Sequence, residues 1–410
     1  MKIVSFGFEN YKPFRGQATI EVRPLTLIFG KNSSGKSASL RSIRLILRAL
    51  TTRKAGFPLE IDELEFGTTF SDLVHNRLPH GAITFNASIE RNSENFSFKA
   101  SIQNLVASSP EQNETKGNPI VSKFQLNSAT PIELVWQPSH DKIISYAGIG
   151  AVPFHGAMPE KQGSFSSEQW NFITSWKEHL QTLEGNVEHL GPLRASIARV
   201  YGSRVAQSLG FAGKGAPSRL ANDSALLEKV ANWYQEHLDG WRLSVDHAGI
   251  AFQCSLSRGK AQVNLADAGQ GMQQVLPIVV QQLGNLAATQ ENFLQLVEQP
   301  ELHLHTAAQA PLGDLFLDSA KLNRGQIIVE THSENMLLRI RRRIAEGANP
   351  DLVALYWVEE KSDGYSEIRK INIDKFGNLD WWQDGVFSEG YEEVKAIGRA
   401  KNNRTVAKDF

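Results

Sequence analysis

Apolar residues along the chain fall into short runs of strand character and longer runs that repeat with helical spacing. Residues 3–9 and 17–22 alternate apolar and polar positions on either side of Asn10-Tyr11-Lys12-Pro13, which predicts a β-hairpin. Leu25-Thr26-Leu27-Ile28-Phe29 reads as a short buried strand, and Leu40, Ile43, Leu47 and Leu50 then recur on one face of a helix from Ser39 to Leu50. Further strands are predicted at 82–90, 94–103 and 132–136, with the polar stretch Ser108–Pro119 expected as a mobile surface loop. Helical patterns cover 167–184 and 223–238, the second opened by the capping candidates Asn222-Asp223-Ser224. The runs Phe293–Val297 and Gln326–Val329 read as buried parallel strands ending in acidic or polar residues, where such sheets hold their ligands. A helix over 333–346 follows, then a hairpin over 353–359 and 366–373, the aromatic stretch Trp381-Trp382-Gln383-Asp384 and a basic polar tail. Neither heptads nor internal repeats are present.

At 410 residues the chain suits one large two-lobed unit or two domains. A formal net charge of −1 gives no global basicity, so any nucleic-acid surface must be a local patch. The single Cys254 excludes an internal disulfide framework and fits a reducing compartment. Met1–Phe6 holds too short an apolar run for a signal peptide, and no stretch approaches the roughly 18 apolar residues of a membrane span. The expectation is a cytoplasmic protein without a membrane partner.

One segment states its chemistry directly. Gly30-Lys31-Asn32-Ser33-Ser34-Gly35-Lys36-Ser37 has the GxxxxGK[ST] spacing of a phosphate-binding loop, placed between a strand and a helix. Glycines at both ends let the backbone N–H groups of residues 31–36 converge on a phosphate. Lys36 would reach the β/γ-phosphates of ATP, and Ser37 a magnesium ion. A partner carboxylate for Mg2+ is expected from the end of a neighbouring strand, and Glu298 is the natural choice.

The segment Leu296-Val297-Glu298-Gln299-Pro300-Glu301-Leu302-His303-Leu304-His305 resembles the Walker B stretch of ABC-type ATPases of the RecF, SMC and OLD (overcoming lysogenisation defect) groups. Asp267–Pro277 resembles their signature segment, and Thr331-His332-Ser333 their switch histidine, which senses γ-phosphate. Leu190-Gly191-Pro192-Leu193-Arg194 and Gly377-Asn378-Leu379-Asp380-Trp381 resemble segments of short bacterial AAA/ABC-like ATPases without a long coiled coil. The resemblance implies an α/β ABC-type P-loop ATPase head of two lobes, a mixed β-sheet core flanked by helices. It also implies a dimer around two nucleotides, each held by the P-loop of one copy and the signature of the other. Gly269 and Gly271, just before a helix, suit a phosphate arriving in trans.

Two positions depart from the pattern. Gln299 stands where the family has the acid that polarises water, and an amide orients water without accepting its proton. Gln273 is the nearest equivalent of the signature serine. Slow hydrolysis is therefore expected, with Glu301 the one candidate to replace the missing base and His332 the candidate switch. His303 and His305 alternate, but no Cys or clustered acid completes a metal site around them. Arg339, Arg341, Arg342 and Arg343 form a basic cluster that a helix C-terminus and a solvated face explain as well as a DNA-binding patch. Arg41, Arg44 and Arg48 recur behind the P-loop and carry the same two readings. A flexible basic loop around Lys214 reads first as a plain loop.

The expected division is a nucleotide-binding lobe from 1–95 and 290–349, an inserted lobe over 96–289 that ends in the signature, and a C-terminal hairpin and tail over 350–410. The resemblance places many such heads in anti-phage defence beside an effector nuclease. OLD proteins carry their own TOPRIM nuclease, whose acid pattern does not appear after residue 349, so the effector is expected as a separate chain acting on DNA or RNA. A RecF-like repair ATPase and a non-hydrolysing, ATP-held scaffold are the competing expectations.

Overall fold

The computed structural model describes residues 1–91, 94–106, 117–128, 131–138, 145–147, 150–160, 165–202, 206, 208–287, 291–383, 393 and 395–397. Most of the predicted Ser108–Pro119 loop, Asp384 and the basic tail from 398 onward lie outside them. The strands used below are β1 Lys2–Glu9, β2 Ala18–Glu21, β3 Leu25–Gly30, β4 Ala82–Arg91, β5 Glu94–Val106, β6 Gly117–Asn127, β7 Ile132–Gln137 and β8 Val187–Leu190. They continue with β9 Arg242–Ala248, β10 Ala251–Arg258, β11 Phe293–Glu298, β12 Gly325–Glu330, β13 Val353–Glu360 and β14 Ser366–Ile371. The helices are α1 Lys36–Thr51, α2 Ser167–Gly185, α3 Ser224–His237, α4 Gln270–Ala287, α5 Thr306–Lys321 and α6 Glu334–Ala345.

The central sheet runs β8-β11-β12-β3-β13-β14. Its first five strands are mutually parallel, and only β14 turns back antiparallel at the edge. Parallel strands covered on both faces read as near-continuous apolar runs, and β3, β11 and β12 are buried at every position. Successive side chains alternate between the two faces. Leu25, Leu27 and Phe29 enter the core built with α3, α4, α5 and α6. Ile28, Leu294, Leu296 and Ile328 enter the opposite core with α1, α2 and the second sheet.

That second sheet is antiparallel, in the order Gly150–Ala151, Ser145–Tyr146, β7, β6, β5, β4, β1, β2. Together the two sheets enclose α1, which explains why its buried residues extend beyond the predicted stripe to Leu45, Ile46 and Ala49. Gln326 of β12 joins the sheets: its amide donates to the Ile3 carbonyl at 2.7 Å and accepts from the Ile3 N–H at 2.8 Å. This bond falls where β1 shifts register between Ile3 and Ser5. A third, smaller sheet pairs β9 with β10 and carries the short strands Tyr201–Gly202 and Ala261–Asn264 on β10.

The hairpin set apart in the sequence reading as part of a C-terminal piece, β13–β14, lies in the central sheet, with β13 directly beside the P-loop strand β3. Its strand β13 is buried through the first six positions, and such a strand needs a covered neighbour on each side. Strand β8 from the middle of the chain likewise joins this sheet, next to β11. The aromatic stretch covers the sheet rather than extending from it: Trp382 meets Phe29 and Trp357 edge-on, each with ring centroids 5.5 Å apart. Among the described residues no helix is long and apolar enough to cross a membrane.

Candidate nucleotide site

The P-loop connects β3 to α1 through backbone that demands its glycines. Gly30 has φ 155°, and a Cβ there would lie 2.4 Å from the Val358 carbonyl oxygen. Gly35 has φ 101° and is packed against Pro13, 2.7 Å from where a Cβ would stand. Lys36 is buried and turns back over the loop, its Nζ donating to the Lys31 carbonyl at 2.6 Å. Burial lowers its pKa, opposed by the carboxylates Glu330 and Glu301. The Ser34 hydroxyl is buried without a partner.

Two carboxylates end the strands beside the loop. Glu298 and Glu330 are register partners on β11 and β12, and each is only 1% exposed. Alternation puts Glu298 on the face of Leu294 and Leu296, and Glu330 on the face of Ile328, so both look toward α1. On α1, Ser37 and Arg41 are one turn apart on a common face. Arg41 takes Glu298 in a two-pronged pair, Nε to Oε1 at 2.8 Å and Nη2 to Oε2 at 2.7 Å. His189, at the end of β8, donates from Nε2 to the same Oε1 at 2.8 Å. Burial alone would raise the Glu298 pKa, but the hydrogen bonds from His189 and Arg41 hold it below the ordinary carboxylate value. His189 is itself kept toward its neutral form by burial.

Glu330 has the opposite environment. Burial and the neighbouring Glu298 charge push its pKa up to about 7, a rise that the nearby Ser37 hydroxyl opposes. Its Oε2 is buried without a partner. The sequence reading placed Glu298 with Ser37 at the metal; the structure gives both Glu298 oxygens to Arg41 and His189 and leaves Glu330, its neighbour on β12, with a buried unpartnered oxygen.

Past β11 the chain turns sharply. Gln299 has φ 45°, sparsely populated for a residue with a side chain, and its N–H donates to the Glu330 carbonyl at 2.8 Å. Glu301, the proposed substitute base, has both oxygens engaged: Oε1 accepts the His332 N–H at 2.6 Å and Oε2 the Thr331 hydroxyl at 2.8 Å. Its carboxyl is held above the ordinary value by burial. His332 has a buried Nε2 with no partner, and burial, helped by the Lys36 charge, lowers its pKa to about 4. It is a neutral imidazole beside the P-loop lysine.

Arg194 ties the signature helix to this turn. Buried, with its pKa lowered to about 10, it donates from Nη2 to the carbonyls of Glu298 at 2.8 Å and Gln299 at 3.1 Å, and from Nη1 to the Gln274 carbonyl at 3.4 Å. The Gln274 amide in turn donates to the Arg194 carbonyl and accepts its N–H. Gln273, read as the stand-in for a signature serine, is buried: it donates to the Ala266 and Ala268 carbonyls and accepts from the Ile197 N–H. Gly269 has open space where a Cβ would go, whereas Gly271 in the first turn of α4 is held 2.5 Å from the His303 carbonyl by that measure.

Several other residues singled out in the sequence have structural partners. His305 caps α5, its Nδ1 accepting the Ala307 N–H at 3.3 Å. Arg339 and Arg343 pair with Asp314, Arg342 with Glu346, and Arg341 donates to the Gly377 carbonyl. Arg44 and Arg48 share Asp62 and Glu184. Lys214 pairs with Glu63 at 3.2 Å. Sequence reasoning did not name Glu330 or His189 and left Arg41 between two readings; the strand order that brings Glu330 beside Glu298 carries no local sequence signal.

A model of the AAA ATPase domain matches residues 213–337, which hold Asp267–Pro277, Leu296–His305 and Thr331-His332-Ser333 but not the P-loop. No curated protein matches the chain by sequence. Among solved structures, an SMC head bound to the C-terminal winged-helix domain of ScpA superposes with TM-score 0.52 at 14% identity, covering 92% of this chain and 99% of that one. An SMC head domain from Thermotoga maritima gives TM-score 0.45 at 13% identity, over 91% and 100% of the two chains. An Smc head with an extended coiled coil bound to the C-terminal domain of ScpA, derived from Pyrococcus furiosus, gives 0.48 at 11%, over 97% and 99%. The fold is that of an SMC-type head, the expected α/β ABC-type P-loop ATPase architecture.

Proposed function

We propose that this chain is an ATP-binding head that hydrolyses slowly and works as a nucleotide-held switch. The observation that carries the reading is the convergence of Lys36, Ser37, two strand-end carboxylates and the unpartnered Nε2 of His332 on one P-loop, with no free carboxylate at position 299. Lys36 would leave the Lys31 carbonyl for the β/γ-phosphates, and the N-terminus of α1 with the loop amides would hold the phosphate chain. The neutral His332 can donate a hydrogen bond to a γ-phosphate oxygen without adding a charge that persists after hydrolysis. Magnesium, when bound with ATP, neutralises charge between the β- and γ-phosphates. Ser37 and one strand-end acid fit it, the orphaned Glu330 oxygen being the open donor.

Gln299 can orient a water but not deprotonate it, and Glu301 is engaged in holding the His332 turn. Nucleotide then serves chiefly to close two heads on each other, with the Gly269 end of α4 offered to the nucleotide of a second copy. In this reading the closed pair controls a separate effector, such as a nuclease directed at DNA or RNA in anti-phage defence. The test is ATP binding, mass and phosphate release on one purified sample, wild type beside Lys36→Ala and Gln299→Glu. Binding lost in Lys36→Ala, a mass that doubles with ATP, and turnover that rises in Gln299→Glu support the switch. Brisk wild-type turnover, increased further by DNA alone, supports a RecF-like repair ATPase. Retained nucleotide with no phosphate release even in Gln299→Glu supports an ATP-held scaffold.

A further inference from the structure

We propose that Glu330, the last residue of β12, is the carboxylate that faces the magnesium ion of a bound nucleotide, and that Glu298 is the fixed counter-ion of Arg41 and His189. The inference rests on the reading of this P-loop as an ATP site and deepens it. Both acids stand at the same level of adjacent parallel strands and on the same face, so strand position alone gives them equal claim. The helix opposite separates them. Ser37, whose hydroxyl a P-loop directs at the metal, lies close enough to Glu330 to favour its anionic form. Arg41, one turn further along α1, takes both oxygens of Glu298, and His189 donates to one of them again.

A carboxylate that accepts three charge-assisted or buried hydrogen bonds has little lone-pair capacity left for a cation. Moving it to a metal would strand the Arg41 guanidinium and the His189 N–H in a buried place. Glu330 carries no such debt, because its Oε2 is nine-tenths or more buried and has no partner. A buried anionic oxygen without a donor is costly by itself, and a divalent ion beside Ser37 removes that cost. Lys36 is near enough to Glu330 for the carboxylate to be the first charge that supports it. When Lys36 turns to the phosphates, the positive charge next to Glu330 is withdrawn and a cation is the natural replacement.

The test uses the full chain loaded with a non-hydrolysable ATP analogue and titrated with Mn2+ as a spin-active probe, read by electron paramagnetic resonance. Metal-free analogue binding is measured separately in EDTA. Wild type should bind Mn2+ at the nucleotide. In Glu330→Gln, which keeps the shape and removes the charge, Mn2+ affinity should fall about 10- to 100-fold. Metal-free binding should be kept or tightened, since a negative charge near the phosphates is gone. Glu330→Asp, which keeps the charge but withdraws it by one carbon, should lie between the two. Glu298→Gln, if its circular dichroism melt shows a folded protein, should lose less Mn2+ affinity than either Glu330 variant. Unchanged Mn2+ affinity in both Glu330 variants, or a larger loss in a folded Glu298→Gln, overturns the assignment while leaving the ATP site standing. Wild type that binds the analogue in neither EDTA nor Mn2+ brings down the ATP reading and this inference with it.

Discussion

Two chemically identical replacements at register-paired positions should move stability in opposite directions. Glu298→Gln removes an anion whose two oxygens satisfy Arg41 and His189 inside the protein. Breaking a buried pair by removing one partner costs about 3–5 kcal/mol, and the 27% exposure of the Arg41 side chain argues for about 3 kcal/mol. Glu298 is held below the ordinary carboxylate value, so its contribution is present above pH 4.5 and is lost as pH falls through its folded pKa. Glu330 has its pKa raised from 4.5 to about 7, so the folded state binds more protons than the unfolded one between those values. Wild-type stability therefore falls as pH rises through that window. At about 1.4 kcal/mol per tenfold change in proton affinity, the full penalty above pH 7 is about 3 kcal/mol. Glu330→Gln removes it, so the variant should be more stable than wild type at pH 8 by up to about 3 kcal/mol, the gap closing toward pH 5. Urea unfolding without nucleotide at pH 5 and pH 8, for wild type and both variants, reads the signs directly. Destabilisation by Glu330→Gln at pH 8, or equal effects of the two replacements, would refute the electrostatic account of this pair.

Other consequences are local. Arg194→Met keeps the length of the side chain but leaves the Glu298 and Gln299 carbonyls without their buried donor, and should cost about 2–4 kcal/mol in chemical denaturation. Gly271→Ala drives a methyl to 2.5 Å from the His303 carbonyl and should lower stability by about 1–3 kcal/mol, with the signature end of α4 displaced. Asp314→Asn releases Arg339 and Arg343 from their shared acid; about 1 kcal/mol of lost stability is expected, measured by thermal melt.

The buried strands of the central sheet were legible because parallel strands covered on both faces must be apolar, and Phe293–Val297 and Gln326–Val329 fall within observed elements. The helices at 167–184 and 223–238 were legible from period and caps, and Asp223 does cap α3, accepting the Leu226 N–H at 2.9 Å. The place of β13 was not legible, since a hairpin late in the chain gives no sign of which strand it will lie beside. The site divided in the same way. Contiguous motifs such as Gly30–Ser37 announce their chemistry, whereas Glu330 is far from Ser37 in the chain and is brought near it only through the order β11-β12-β3. His189 was invisible for the same reason: it reaches Glu298 because β8 adds to the edge of the sheet next to β11.

Whether Glu301 is a base or a brace is decided by comparing what each role loses in Glu301→Gln. As a base it would supply about 10²- to 10⁴-fold of the rate, all lost to an amide. As a brace it accepts the His332 N–H and the Thr331 hydroxyl, and Thr331 Oγ1 itself accepts the Ser333 N–H at 3.0 Å. A glutamine can still accept from His332 N–H while its amide donates to Thr331 Oγ1, so the turn keeps most of its bonds and stability should drop by only about 1 kcal/mol. Single-turnover phosphate release is then expected to fall less than about tenfold from a slightly misplaced His332, because no proton-accepting group is removed. Combining the change with Gln299→Glu sharpens the contrast. A brace leaves the rate gained by an acid at position 299 largely intact, since Gln299 is held independently by its N–H to the Glu330 carbonyl and by Arg194 on its own carbonyl. A loss of about 100-fold or more in Glu301→Gln, with the melting profile unchanged, would make Glu301 the base and the slow-switch reading untenable.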